Sequence, residues 1–224
     1  MMVSNLPHML TLMSESSVAD HPRLNIEQFL VGGGTLKKYW DAEGTGSPRT
    51  LIATQPWDYV VIQEIFCADT KEFETYARLF DDVIRKAGSK TILFATANIS
   101  EYFSAQYKYP DSFKQLNDMQ LAFGKKCEIP VAAAGYAWMR YLGDHPSKEQ
   151  MLDLYHEDKA HPGKRGTYIY ACLLYAAITG KNPEGLTCEF PDITGDAISK
   201  KEGSWMQKAA WYQWKENEIK QNKL

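Results

Sequence analysis

Apolar residues recur along this chain in two rhythms, helical steps of three or four residues and short unbroken runs, and the two alternate. Phe73, Tyr76, Ala77, Phe80, Val83, Ile84 and Ala87 follow the helical step and stop at Gly88, which predicts a helix with a glycine end. Leu6, Met9, Leu10 and Met13 keep the same spacing behind Pro7, a residue suited to a first helical turn. Further helices are expected over Leu36–Trp40, Phe113–Lys126, about Lys164–Thr179 before Gly180, and Trp205–Ile219. The runs Tyr59–Gln63, Thr91–Ala97 and Ile129–Ala134 read as strands buried on both faces. Leu24–Val31 alternates well enough to be a fourth strand, ended by Gly32, Gly33 and Gly34.

Strands that alternate with amphipathic helices predict an α/β fold, one parallel sheet with helices on both faces. The 224 residues, 44% of them hydrophobic, suffice for one core and read as a single domain over 1–224. Ligands of such sheets bind outside the carboxyl ends of the strands. Gly33, Gly34 and Gln63, each just past a strand end, and the loop after the last strand are therefore expected to gather on one edge.

Charge and composition narrow the partners. A net charge of −3 and the absence of any long basic run argue against nucleic acid; Lys37-Lys38, Lys125-Lys126 and Lys200-Lys201 read as solvated helix surfaces. No apolar stretch approaches the ~20 residues that span a bilayer, and Ile169–Ile178, the most apolar segment, reads as a buried helix. Cys67, Cys127, Cys172 and Cys188 form no C-x-x-C and no metal spacing, so structural thiols are expected ahead of disulfides. No motif calls for a cofactor. Met1 is not followed by a charged and then an apolar leader segment, and the compartment stays open.

The candidate chemistry lies in Leu154-Tyr155-His156-Glu157-Asp158-Lys159-Ala160-His161-Pro162-Gly163 and the helix that Lys164-Arg165-Gly166-Thr167-Tyr168 opens. An Asp three residues before a His can hold one imidazole nitrogen and leave the other free to take a proton. The spacing alone is not specific: Asp153/His156 repeats it, and His161 taken alone reads as a helix-capping residue. His145-Pro146 is a second His-Pro, but Leu142 stands where its Asp would be, so His145 and His156 are expected as surface histidines. A zinc reading of His156-Glu157 and His161 fails on geometry, because residues five apart on a helix lie about 140° from eclipsed.

The surroundings of Asp158/His161 resemble the last block of the SGNH hydrolases, the GDSL-like esterases and lipases, where D-x-x-H-P and then G-T-Y run into the last core helix. Trp57-Asp58-Tyr59-Val60-Val61-Ile62-Gln63-Glu64 resembles a W-D-Y-V-V-[IL]-Q-E block of a bacterial branch of that family. Val31-Gly32-Gly33-Gly34-Thr35-Leu36 matches its glycine block, and Asn5-Leu6-Pro7 resembles the stretch just after its nucleophile motif G-[DN]-S-[FY]-T. The resemblance spans Asn5 to about Tyr212. It implies a three-layer α/β/α sandwich with a flavodoxin-like parallel sheet, whose first strand and serine would fall just before Met1. It further implies a serine esterase acting on small esters, carbohydrate O-acetyl groups among them. His161 would be the base, Asp158 its orienting carboxylate, and the Gly33 N–H (or that of Gly34) and Gln63 amide the oxyanion donors. Glu64 is expected to support neighbouring loops.

Ser4 is the nearest hydroxyl, but it aligns beyond the motif. A non-catalytic carbohydrate-binding or scaffold protein is the competing reading. The aromatic loop from Tyr102 to Tyr109 is a candidate for stacking on a sugar ring. Two geometric expectations follow: a His161 nitrogen within ~2.6–3.2 Å of an Asp158 carboxylate oxygen, with Asp153 and His156 outside that cluster.

Overall fold

A computed structural model describes residues 4–16, 21–30, 32–64, 70–97 and 111–222. Three parallel strands, β1 (Tyr59–Ile62), β2 (Lys90–Ala95) and β3 (Val131–Ala133), pair in the order β1-β2-β3. The register sets Val61 beside Ile92 and Leu93 beside Val131. The helices are α1 (Leu6–Glu15), α2 (Leu36–Asp41), α3 (Pro48–Thr54), α4 (Thr70–Lys86), α5 (Asp111–Cys127), α6 (Ala134–Leu142), α7 (Lys148–Leu152), α8 (Lys164–Thr179) and α9 (Lys200–Asn222). The protein is thus a mixed α/β fold around an open parallel sheet.

Alternation along β2 divides the core. Ile92 and Phe94 point into one apolar cluster with α1, α6, α8 and α9, while Leu93 and Ala95 point into a second with α2, α3 and α4. The helical step in α4 delivers Phe73, Ala77, Phe80 and Ile84 to that second cluster. Helix α8 is the centre of the first and is buried without a break from Gly166 to Ala177. Each fully buried Ile or Leu there stabilises the fold by about 2 kcal/mol. The fully buried Asn117 amide ties strand ends together: it donates to the carbonyls of Thr96 and Phe113 and accepts the Gly135 N–H.

Two expectations fail here. Leu24–Leu30 forms no strand; it runs irregular and largely exposed, and among the described residues no neighbouring strand pairs with it, while Val31 lies outside them. Nor is Tyr59–Gln63 buried on both faces. Among the described residues β1 pairs only with β2, so it is an edge strand, and Val61 stays 38% exposed. Two helices were hidden from the sequence pattern, α3 behind a Gly/Ser/Pro stretch and α6 directly behind β3. No described helix is long and apolar enough to cross a membrane. Cys127, Cys172 and Cys188 carry free thiols, and burial pushes that of Cys172 up.

Candidate active site

The loop from Asp153 to Gly163 is closed by its own backbone. The His156 N–H donates to the His161 carbonyl at 2.8 Å, Gly163 N–H to Leu154 at 2.9 Å, and Tyr155 bridges Pro162. A turn from His156 to Lys159 reverses the chain, with Lys159 in the left-handed region at φ 54°. Two glycines make the closure possible. A Cβ on Gly163 would sit 2.6 Å from the Tyr155 carbonyl oxygen, and one on Gly166 2.2 Å from that of Leu154 and 2.3 Å from the Trp138 ring. The Trp138 indole N–H in turn donates to the Gly166 carbonyl. The glycine of the G-T-Y segment is therefore a packing requirement of this loop.

Within that frame Asp158 is fixed at both oxygens. Oδ1 accepts the N–H groups of Ala160 and His161, each at 2.9 Å, and Oδ2 lies 2.8 Å from Nδ1 of His161. Partial burial opposes the charge on Asp158, but those two N–H groups and the His161 ring outweigh it and hold the carboxyl far below the usual carboxylate range. An ionised Asp158 places the His161 proton on Nδ1 and leaves Nε2 as an acceptor. The His161 side chain is 54% exposed, so that nitrogen is open to an incoming group.

The expectation that His156 stays out of this cluster is corrected. His156 Nδ1 is 3.4 Å from Asp158 Oδ2 and accepts, at 3.4 Å, the Asp158 N–H, because the 156–159 turn folds the ring back over Asp158. Asp153 does stay out; it pairs with Arg165, which also holds Glu202 at 2.7 Å.

The predicted oxyanion side is built differently. Gly33 is an exposed turn glycine at φ +62°, and its carbonyl accepts from Lys38 Nζ. Gly34 is buried under Tyr39, whose ring a Cβ would meet at 2.6 Å. Gln63 follows β1 directly, and its Oε1 is enclosed, with no hydrogen-bond partner among the described residues. Buried Glu64 accepts the Leu36 N–H at 3.2 Å, which ties the end of β1 to the start of α2 and so to the glycine turn. No hydrogen bond joins this group to Asp158 or His161 among the described residues. The carboxyl end of β2 is tied to the helix that His161 precedes: the Ala97 N–H, just past β2, donates to Tyr170 in α8.

Comparison of the chain with protein-family models, curated proteins and solved structures finds no match.

Sequence reasoning missed a second His–Asp contact. His8, in the first turn of α1, sets Nε2 2.5 Å from Asp192 Oδ2, and this bond lowers the Asp192 carboxyl pKa. Together with Ser4, Asn5, Ile193 and Thr194 the pair lines a cleft of about 300 Å³. Lys164 Nζ donates to the carbonyls of Phe190 and Ile193, anchoring the cleft to the start of α8. Ser4 is buried, and its hydroxyl donates to the Pro162 carbonyl at 3.3 Å, beside His161 but not toward its ring. His8 and Asp192 lie 184 positions apart, so no sequence pattern points to that pair. His145 is exposed, and the aromatic loop from Tyr102 to Tyr109 lies outside the described residues. Among the described residues no three His, Cys, Asp or Glu side chains converge as metal ligands would.

Proposed function

We propose that this chain carries the base and its orienting carboxylate for an SGNH-type serine ester hydrolase, acting on small esters such as carbohydrate O-acetyl groups. The observation that supports this most is the 2.8 Å Asp158–His161 contact, with the second carboxylate oxygen fixed by two backbone N–H groups. In the proposed reaction a serine oxygen forms a bond to the ester carbonyl carbon while its proton passes to His161 Nε2. The alkoxy C–O bond then breaks, and His161 returns that proton to the leaving alcohol. Water repeats the sequence to release the acid. The Gln63 side-chain amide, after rotation, and the Gly33 N–H are the proposed oxyanion donors.

The proposed architecture is a three-layer α/β/α sandwich with a flavodoxin-like sheet. Its serine arrives on a parallel strand that precedes α1 and pairs along the open edge of β1. The exposed Val61 of β1 is what such a strand would cover. The test is hydrolysis of an aryl acetate by this chain and by a version extended with a strand ending in G-N-S. Activity in the extended version that disappears with His161→Ala supports the proposal. Inactivity of a folded extended version, or activity that survives His161→Ala, sinks it.

One observation favours the second reading, a non-catalytic carbohydrate-binding protein. Ser4 spends its hydroxyl on the Pro162 carbonyl, and no hydroxyl or thiol bonds to His161 among the described residues. On that reading the extended version binds carbohydrate and leaves the ester intact.

A further inference from the structure

The outer face of α9 carries a stripe that the candidate site does not use. Lys201, Trp205, Lys208, Tyr212 and Lys215 follow one another at steps of four, three, four and three residues, which keeps all five within a narrow arc of one helix. Trp205 and Tyr212 are 51% and 54% exposed, the largest exposures among the big hydrophobic side chains described. Seven residues separate the two rings, about 10.5 Å along the axis, and the three lysines span about 21 Å. The charges within the stripe itself are all positive, on a chain of net charge −3.

We infer that this stripe binds an acidic polysaccharide, a chain of sugars bearing carboxylates. The Trp205 indole N–H is already donated to the Tyr141 carbonyl at 3.3 Å, so the ring is held as a platform that offers its face. A flat aromatic face takes up the C–H face of a sugar ring, and the lysines between the platforms meet carboxylates along the same polymer. Lys201 has no acidic partner among the described residues. Lys208 is 3.9 Å from Glu184, and Lys215 pairs with Glu218 beside the Trp211 ring. This diluted positive charge suits a polymer with spaced carboxylates. Single-stranded nucleic acid, with a charge on every phosphate, favours a basic groove instead of a convex helix face. An anionic membrane takes up a helix by a broad apolar face, and that of α9 is already buried in the first cluster through Met206, Ala210 and Trp214. The stripe begins beside Glu202, which Arg165 of α8 holds at 2.7 Å, so a bound polymer would start near the end of the molecule that carries His161. The inference goes beyond the esterase reading and does not need it, because it is read by binding without turnover.

The experiment titrates this chain with polygalacturonate and follows tryptophan fluorescence and heat. A neutral galactan, single-stranded poly(dT) and phosphatidylserine vesicles serve as the alternatives. Polygalacturonate should bind at low salt, at least about tenfold tighter than the galactan, and weaken as salt is raised. Tyr212→Ala should weaken it by about fivefold, and Lys201→Glu with Lys208→Glu by about tenfold or more. Both variants change exposed positions, and thermal unfolding checks that they fold as the parent does. Absence of polygalacturonate binding, equal binding of the galactan, tighter binding of poly(dT) or vesicles, or unchanged binding by folded variants would each overturn the inference.

Discussion

The two halves of the candidate site are held in opposite ways. Asp158 and His161 sit in a loop whose contacts close within about ten residues, from the Leu154 carbonyl to the Gly163 N–H. Gln63 and Gly33 sit near the end of an edge strand and in an exposed turn, which Glu64 ties together by accepting the Leu36 N–H. The first half is preorganised by its own segment and needs little from the rest of the sheet. The second takes its geometry from whatever lies along β1. On the proposed reading, the proton-transfer pair is fixed locally while the oxyanion donors depend on the neighbours of β1.

The sharpest way to break this contrast is kinetic, in a version extended with the serine strand. His161→Ala should lower kcat/KM for an aryl acetate by about 10³- to 10⁴-fold, and Asp158→Asn nearly as much through the wrong imidazole tautomer. Gln63→Ala should cost about 10²-fold, the worth of one oxyanion donor. Equal losses for His161→Ala and His156→Ala would show that the closed loop presents the other ring.

The next test concerns stability, on the chain as it stands. Gly166→Ala drives a Cβ against the Leu154 carbonyl and the Trp138 ring, and should destabilise by about 3 kcal/mol, read from the urea midpoint. Gly33→Ala has room but a positive φ, and should cost only about 1 kcal/mol. A reversed order would mean that the loop yields more easily than the glycine turn.

The smallest effect is on the acid side. The Asp158 carboxyl lies lower in the folded chain than its unfolded value near ~3.9, so its contribution to stability is present above that pH. It is lost as pH falls from there through the folded pKa. Asp158→Asn should therefore flatten the decline of thermal midpoint below pH 4. An unaltered acid limb would show that the carboxylate gains nothing from its N–H partners.

How much of this was legible follows from the range of each interaction. Strands β2 and β3 and helices α1, α4, α5 and α8 could be read because their apolar periodicity reports burial directly. The failure at Leu24–Leu30 has a physical origin: alternation fits an extended chain, but a strand also requires a neighbour to pair with. Helix α3 escaped because Ser47 and Pro48, loop signals in isolation, here act as the N-cap and first residue of a helix. Asp158 and His161 were readable as a pair since they lie three residues apart in one turn. His156 was misplaced because its approach to Asp158 depends on Lys159 adopting a left-handed conformation, which lysine seldom does. His8–Asp192 depends on tertiary structure alone.

Helix α8, buried from Gly166 to Ala177, has a consequence in the time domain. Amides in its middle turns have no local route to solvent, so they should exchange hydrogen only when the whole first cluster opens, more slowly than any at the outer edge of β1. Pro162 and Gly163 are all that separate His161 from the first residue of this helix. Heating or denaturant should accordingly release the glycine turn and the end of β1 first, leaving the imidazole and its carboxylate in register until the last cooperative step.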